Sequence, residues 1–294
     1  MKAILNNNSI SEFESFDELF KFDQLEKIQY LECDNMKIFD LPSDIIKMTN
    51  LSCLSLNYNS LSNLPKLPNS IQYLYLNFNN FKDIPKEITD LNLLNTLLLY
   101  SNKITSISEN ISNLQNLKSL GLSYNILSQL PKEIGSLKKL KILELKENII
   151  HTLPRTLVDL TNLRILCLSN NNISRLPKKM DKLQLLERLD IDNNNLGFLP
   201  KELFNLPNLI GITVNFNKLH NLPKSFKYST IKFICCIYNN LNENYDDDRI
   251  ILNSKDLAKV DSILTIYKIN KNIIKKQTEN NLINIIKNTI NIQH

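Results

Sequence analysis

The sequence predicts an α/β solenoid, with a curved parallel β-sheet on its concave face, 3₁₀ or short helical turns on its convex face, and helical caps at the ends. Three observations predict it. An apolar pattern restarts at Ile28, Leu51, Ile71, Leu94, Leu117, Leu140, Leu163, Leu186, Leu209 and Ile231, at intervals of 23 residues except for one of 20 and one of 22. A period of this length marks stacked supersecondary units. Inside each unit apolar residues alternate, as in Leu140, Leu143 and Leu145, which buries one face of a short strand. An asparagine follows almost every strand at the ninth position.

Each strand is reached through the same kind of return segment, so the ten strands run parallel. The return segment, as in Ile134, Leu137 and Leu140, places apolar residues every third position, which suits a 3₁₀ turn. At the ninth position stand Asn59, Asn79, Asn102, Asn125, Asn148, Asn171, Asn194, Asn217 and Asn239. There the chain leaves the strand and turns inward, and its backbone polar groups lose their ladder partners. An amide supplies both donors and an acceptor at the right reach, so these side chains are expected to form a structural ladder. Asn170 and Asn172 flank Asn171 and are expected to face solvent. The first unit has Met36 at the ninth position, and an irregular turn is expected there.

The 294 residues, 43% hydrophobic, suffice for a sizeable core. Interspersed charges with a formal net of +5 give no basic block for nucleic acid. Four glycines far apart make no phosphate loop, and three histidines cannot form a metal-binding helix motif. No cofactor, metal or catalytic constellation is expected. The N-terminus lacks the apolar core of a signal peptide, and no apolar run is long enough to span a bilayer. Five cysteines, odd in number and without C-x-x-C spacing, point to a reducing, cytoplasmic setting.

The unit L-x-x-L-x-L-x-x-N-x-L-x-x-L-P, clearest in LPKEIGSLKKLKILELKENIIHTLP from 130 to 154, resembles the leucine-rich repeat family. Its 23-residue Leu-Pro form is similar to the plant intracellular Ras-group proteins and the related Ras-pathway scaffold of animals. The 20-residue unit, LPKLPNSIQYLYLNFNN, resembles the short repeats of bacterial effectors. Domain boundaries follow: an N-terminal helical cap and half-repeat over 1–27, using Phe13, Phe16 and Leu19; ten repeats over 28–244; and a C-terminal helical cap over 245–294. Terminal repeats need such covers because their cores otherwise meet water.

The variable concave positions are the third, fifth, seventh and eighth of each unit. Early repeats set aromatics there, and Tyr58, Tyr73, Tyr75, Phe78, Tyr100 and Tyr124 are the candidate partner-binding residues. Exposed aromatics rimmed by charge are what protein interfaces use as anchors. The competing reading is that these rings cover neighbouring strands or are closed over by the N-terminal cap. Cys235 and Cys236 are read as a core thiol and an inert neighbour. The expected function is a non-enzymatic, monomeric protein-interaction scaffold in intracellular signalling. The resemblance implies small GTPases or phosphatases as partners. The alternative is a substrate-recognition subunit that recruits an enzyme such as a ubiquitin ligase through 245–294.

Overall fold

The computed structural model describes residues 1–242 and the short strand Ile250–Ile251. Ten strands stand at the expected register: β3 (Ile28–Glu32), β4 (Cys53–Ser55), β5 (Tyr73–Tyr75), β6 (Thr96–Leu98), β7 (Ser119–Gly121), β8 (Ile142–Glu144), β9 (Ile165–Cys167), β10 (Arg188–Asp190), β11 (Gly211–Thr213) and β12 (Phe233–Cys235). Each pairs in parallel with the next, and Ile250–Ile251, β13, adds to β12. The equivalent leucines Leu120, Leu143 and Leu166 stand opposite one another across β7, β8 and β9, so one register runs through the stack.

The return segments form 3₁₀ turns such as Glu109–Asn113, Lys132–Ser136 and Arg155–Asp159. Proline precedes several of them, including Pro131, Pro154 and Pro200, where its fixed φ suits a turn entry. The repeat beginning at Leu51 is three residues shorter and has no helical turn between β4 and β5. Its doubled Leu-Pro carries the chain back extended, with Leu64 and Leu67 buried.

One continuous apolar core runs from Ala3 to Cys236. The N-terminal end is built differently from the helix expected there. Strand β1 (Lys2–Leu5) pairs antiparallel with β3, and β2 (Ile10–Glu12) pairs with β1. A five-residue helix, α1 (Phe16–Phe20), capped by the Ser15 side chain, follows. Period-2 alternation sends Ala3 and Leu5 into the main core while Ile4 goes to the concave side. A hairpin thus covers both the edge of the sheet and the end of the core. The helical cap read over 245–294 lies outside the described residues, apart from β13.

The asparagine ladder runs through every repeat from Asn59 to Asn239. Asn171 shows its chemistry: Nδ2 donates to Leu145 O at 2.9 Å, Leu168 O at 3.0 Å and Ser169 O at 3.3 Å, and Oδ1 accepts from Ile150 N at 2.9 Å. Asn79, Asn102, Asn125, Asn148, Asn194 and Asn217 repeat the arrangement, and all are buried. The first repeat, which has no asparagine of its own here, is served by Asn59, whose Oδ1 accepts from both Met36 N and Ile38 N at 3.0 Å. Its irregularity is confined to Lys37, an additional left-handed residue.

Candidate interaction surface

The eighth position of all ten repeats is left-handed. Asn35, Tyr58, Phe78, Ser101, Tyr124, Glu147, Asn170, Asn193, Phe216 and Tyr238 have φ between 50° and 60°. The chain needs this twist to turn each ladder asparagine inward. Asparagine tolerates the left-handed region, whereas bulky side chains there are outliers. That is why Asn170 and Asn193 stand next to ladder asparagines. Asn170 is also bonded, donating to Glu147 Oε1 at 2.5 Å and accepting from Asn193 Nδ2 at 2.8 Å. It is therefore more constrained than the solvent-facing neighbour expected from sequence.

Five eighth-position residues are aromatic despite this conformation, and all five are exposed: Tyr58, Phe78, Tyr124, Phe216 and Tyr238, at 45–67%. Tyr58 and Phe78 stack with centroids 4.3 Å apart, and Phe216 and Tyr238 stack at 4.5 Å. Among the described residues Tyr124 has no ring partner of this kind; Lys146 Nζ lies 5.5 Å from its centroid and 3.2 Å from its hydroxyl.

The remaining candidate aromatics behave differently. Tyr75 is only 6% exposed and packs with Ile4, Tyr30 and Cys53 in a small concave-side cluster, with Tyr73 and Leu98 against it. The expectation of an exposed Tyr75 is corrected: the apolar side chains on the neighbouring strands, Cys53 and Leu98 among them, enclose it, and the cluster runs on through Tyr30 to Ile4 of the hairpin. Burial pushes the Tyr75 and Tyr30 hydroxyls well above the usual tyrosine range, and in Tyr30 the Glu32 carboxylate that accepts its proton at 2.7 Å adds to the shift. Tyr100 lies flat across β7 and donates to the Glu144 carboxylate of β8. Gly121 makes room for it, since a Cβ there would stand 2.5 Å from the ring. Tyr73 is half-buried.

The seventh position carries a second polar ladder that sequence reasoning assigned to solvent. Asp34 accepts from Asn57 N at 2.8 Å, Asn57 from Asn77 N at 2.9 Å and Asn77 from Tyr100 N at 2.8 Å. Further along, Ser123 accepts from Lys146 N, Ser169 from Asp192 N, Asp192 from Asn215 N and Asn215 from Ile237 N. The run of small polar residues at this position was the available signal. A third set lies before the strands, where Asn50, Asn116, Asn162 and Asn208 each donate to a backbone carbonyl of the preceding repeat.

In the middle repeats Arg188 pairs with Asp190 at 2.6 Å, and the Cys167 thiol donates to Asp190 at 3.4 Å. Burial, then Asp190 and Glu144, hold the Cys167 thiol well above its ordinary value. Burial raises the Asp192 carboxyl to about 6, against the hydrogen bonds from Thr213 and Asn215 that lower it. Burial also pushes the Cys235 and Cys236 thiols up to about 12, which leaves both un-ionised and inert at neutral pH. Among the described residues there is no group of three or more metal-ligating side chains, and no helix is long and apolar enough to cross a membrane.

Parallel strands, convex turns and a buried asparagine ladder define the leucine-rich repeat class. Residues 106–171 match the family model described as a leucine-rich repeat region, and 162–183 and 185–206 match the single leucine-rich repeat. A leucine-rich repeat protein of Leptospira interrogans is similar over 84% of this chain and 72% of its own, at 30% identity and a TM-score of 0.53. The ectodomain of a plant membrane receptor kinase from Arabidopsis thaliana, solved in complex with Casparian strip integrity factor 2, is 25% identical, with a TM-score of 0.60, over 76% of this chain and 32% of that one. Mouse keratocan is 33% identical over 86 residues, 29% of this chain and 23% of keratocan's length. The chain belongs to the leucine-rich repeat family. Proteins of this family generally mediate protein–protein interactions.

Proposed function

We propose that this chain is a non-enzymatic interaction scaffold that binds a protein partner along the eighth-position rim and the adjoining concave face. The observation that carries it is the exposure of five aromatic rings in a backbone conformation unfavourable to them. Each left-handed bulky residue costs ~1–2 kcal/mol, and an exposed stack returns only ~0.5–1.5 kcal/mol per pair. Their retention where asparagine serves elsewhere in the same chain is a cost larger than its packing return, and such outliers concentrate at functional sites. The site thus keeps Tyr58, Phe78 and Tyr124, leaves Tyr75 and Tyr100 to the fold, and adds Phe216 and Tyr238.

The Leu-Pro form of the repeats supports a place beside the Ras-group and Ras-pathway scaffolds, and hence an intracellular signalling role. The thiols Cys33, Cys53, Cys167 and Cys235, which form no disulfide among the described residues, support a reducing, cytoplasmic location. A cross-linking pull-down from the native host tests the reading. Tyr58→Asn/Phe78→Asn should lose the captured partner while its unfolding midpoint stays at or above that of the wild type. Undiminished capture by this variant would sink the proposed surface.

A further inference from the structure

The chain is basic overall, yet its concave side is not. Across the third, fifth, seventh and eighth positions the charged residues are Glu32, Asp34, Glu144, Glu147, Asp190 and Asp192 against Lys146 and Arg188, six carboxylates to two cations, in a chain of net +5. Cations collect instead on the opposite edge of the strands, at the second position, where Lys118, Lys141, Arg164 and Lys232 stand against the single carboxylate of Glu187, which pairs with Arg164. Charge is therefore separated across the sheet, with the carboxylates on the same side as the exposed rings.

The molecule also contains its own example of what an eighth-position ring accepts. Lys146, at the seventh position of the following repeat, sets its ammonium against the Tyr124 ring and hydroxyl. The equivalent neighbours of Tyr58, Phe78 and Phe216 are Asn77, Tyr100 and Ile237, none of them cationic. Cations are attracted to the faces of such rings, and more strongly where carboxylates stand nearby.

We propose that the aromatic and acidic side of the concave face takes a lysine- and arginine-rich segment of a partner protein, laid across the strands with cationic side chains at both stacked pairs. This deepens the scaffold reading and rests on it. Phe78 and Phe216 follow β5 and β11 in their repeats, six strand spacings or roughly 29 Å apart at ~4.8 Å each, a span covered by about nine extended residues. The bound segment therefore carries two basic clusters separated by about that length.

The test pans a phage-displayed library of random linear peptides, about twelve residues long, on the full chain. Counter-selection uses a variant carrying Tyr58→Asn, Phe78→Asn, Phe216→Asn and Tyr238→Asn. Asparagine already occupies this position at Asn35, Asn170 and Asn193, so folding is retained. The expected result is enrichment of lysine and arginine over the input library. The selected peptide should bind the four-site variant and Glu147→Gln at least about tenfold more weakly, and should be released at about 1 M salt, where the screening length is ~3 Å. Enrichment of acidic or uncharged peptides that still require the four rings overturns the inference and leaves the scaffold reading standing. A selection with no ring-dependent peptide overturns both. Ring-dependent dimerisation in light scattering makes a second copy the occupant and overturns the inference.

Discussion

The concave face of the first three repeats and that of the sixth to eighth repeats occupy the same positions of the same unit, yet they are built from opposite materials. In the first region Tyr30, Cys53 and Tyr75 form an apolar cluster that Ile4 of the N-terminal hairpin extends at its Tyr30 end. In the second, Glu144, Arg188, Asp190 and Asp192 sit among hydrogen bonds and an ion pair. Side-chain register is shared, but environment is not: a strand added at one end turns outward-facing positions into interior ones. A repeat position therefore predicts direction, and only its neighbours decide exposure.

The sharpest way to break this comparison is Tyr75→Ala. Loss of a ring buried in this cluster should cost about 3 kcal/mol, read as a lowered urea midpoint, whereas a midpoint equal to wild type would return Tyr75 to the exposed face. Next in size is the ladder of the regular middle. Asn171→Ala strands buried backbone groups and should cost about 2 kcal/mol. The neighbouring Asn170→Ala, which forces alanine into a left-handed turn and removes two side-chain hydrogen bonds, should cost about 1 kcal/mol. Equal urea midpoints for these two variants would erase the distinction between the eighth and ninth positions.

The polar region should be set apart by its pH response. With a folded-state pKa of about 6 against an ordinary 3.8, Asp192 holds a proton in the folded chain where the unfolded chain has lost it. Its contribution to stability is then greatest at low pH and falls as pH rises from about 4 to about 6, beyond which the cost of burying the charge is complete. Asp192→Asn should flatten that segment of the stability–pH curve, measured by urea unfolding across the range; an unchanged slope would place the carboxylate in solvent. The smallest effect belongs to Tyr124→Asn. Relief of the left-handed aromatic slightly outweighs an exposed cation–π contact worth ~0.5–1 kcal/mol, so stability should rise by about 0.5 kcal/mol. A clear destabilisation would show that this ring packs as part of the fold.

The amino-acid sequence by itself determined the ten repeat strands, their parallel order, their register and the asparagine ladder, though not the antiparallel β1 and β2 or the added β13. Each of these follows from short-range chemistry repeated at a fixed interval: period-2 burial in the strand, and an amide where the backbone loses its partners. The exposed members of the rim, Tyr58, Phe78 and Tyr124, were legible for the same reason, and Phe216 and Tyr238 were legible in principle because they share the same unit position. Three things were decided only by the tertiary structure. Tyr75 was buried by the apolar side chains that happen to flank it on neighbouring strands, Cys53 and Leu98 among them, whose position is periodic but whose bulk is not. Tyr100 was drawn across β7 to Glu144 because Gly121, on the strand between, leaves space for the ring. The seventh-position amides and hydroxyls were claimed by backbone N–H groups of the next repeat, which come within reach only once the units are stacked. Local pattern sets where a side chain points; stacking and the end cap decide whether solvent is there to meet it.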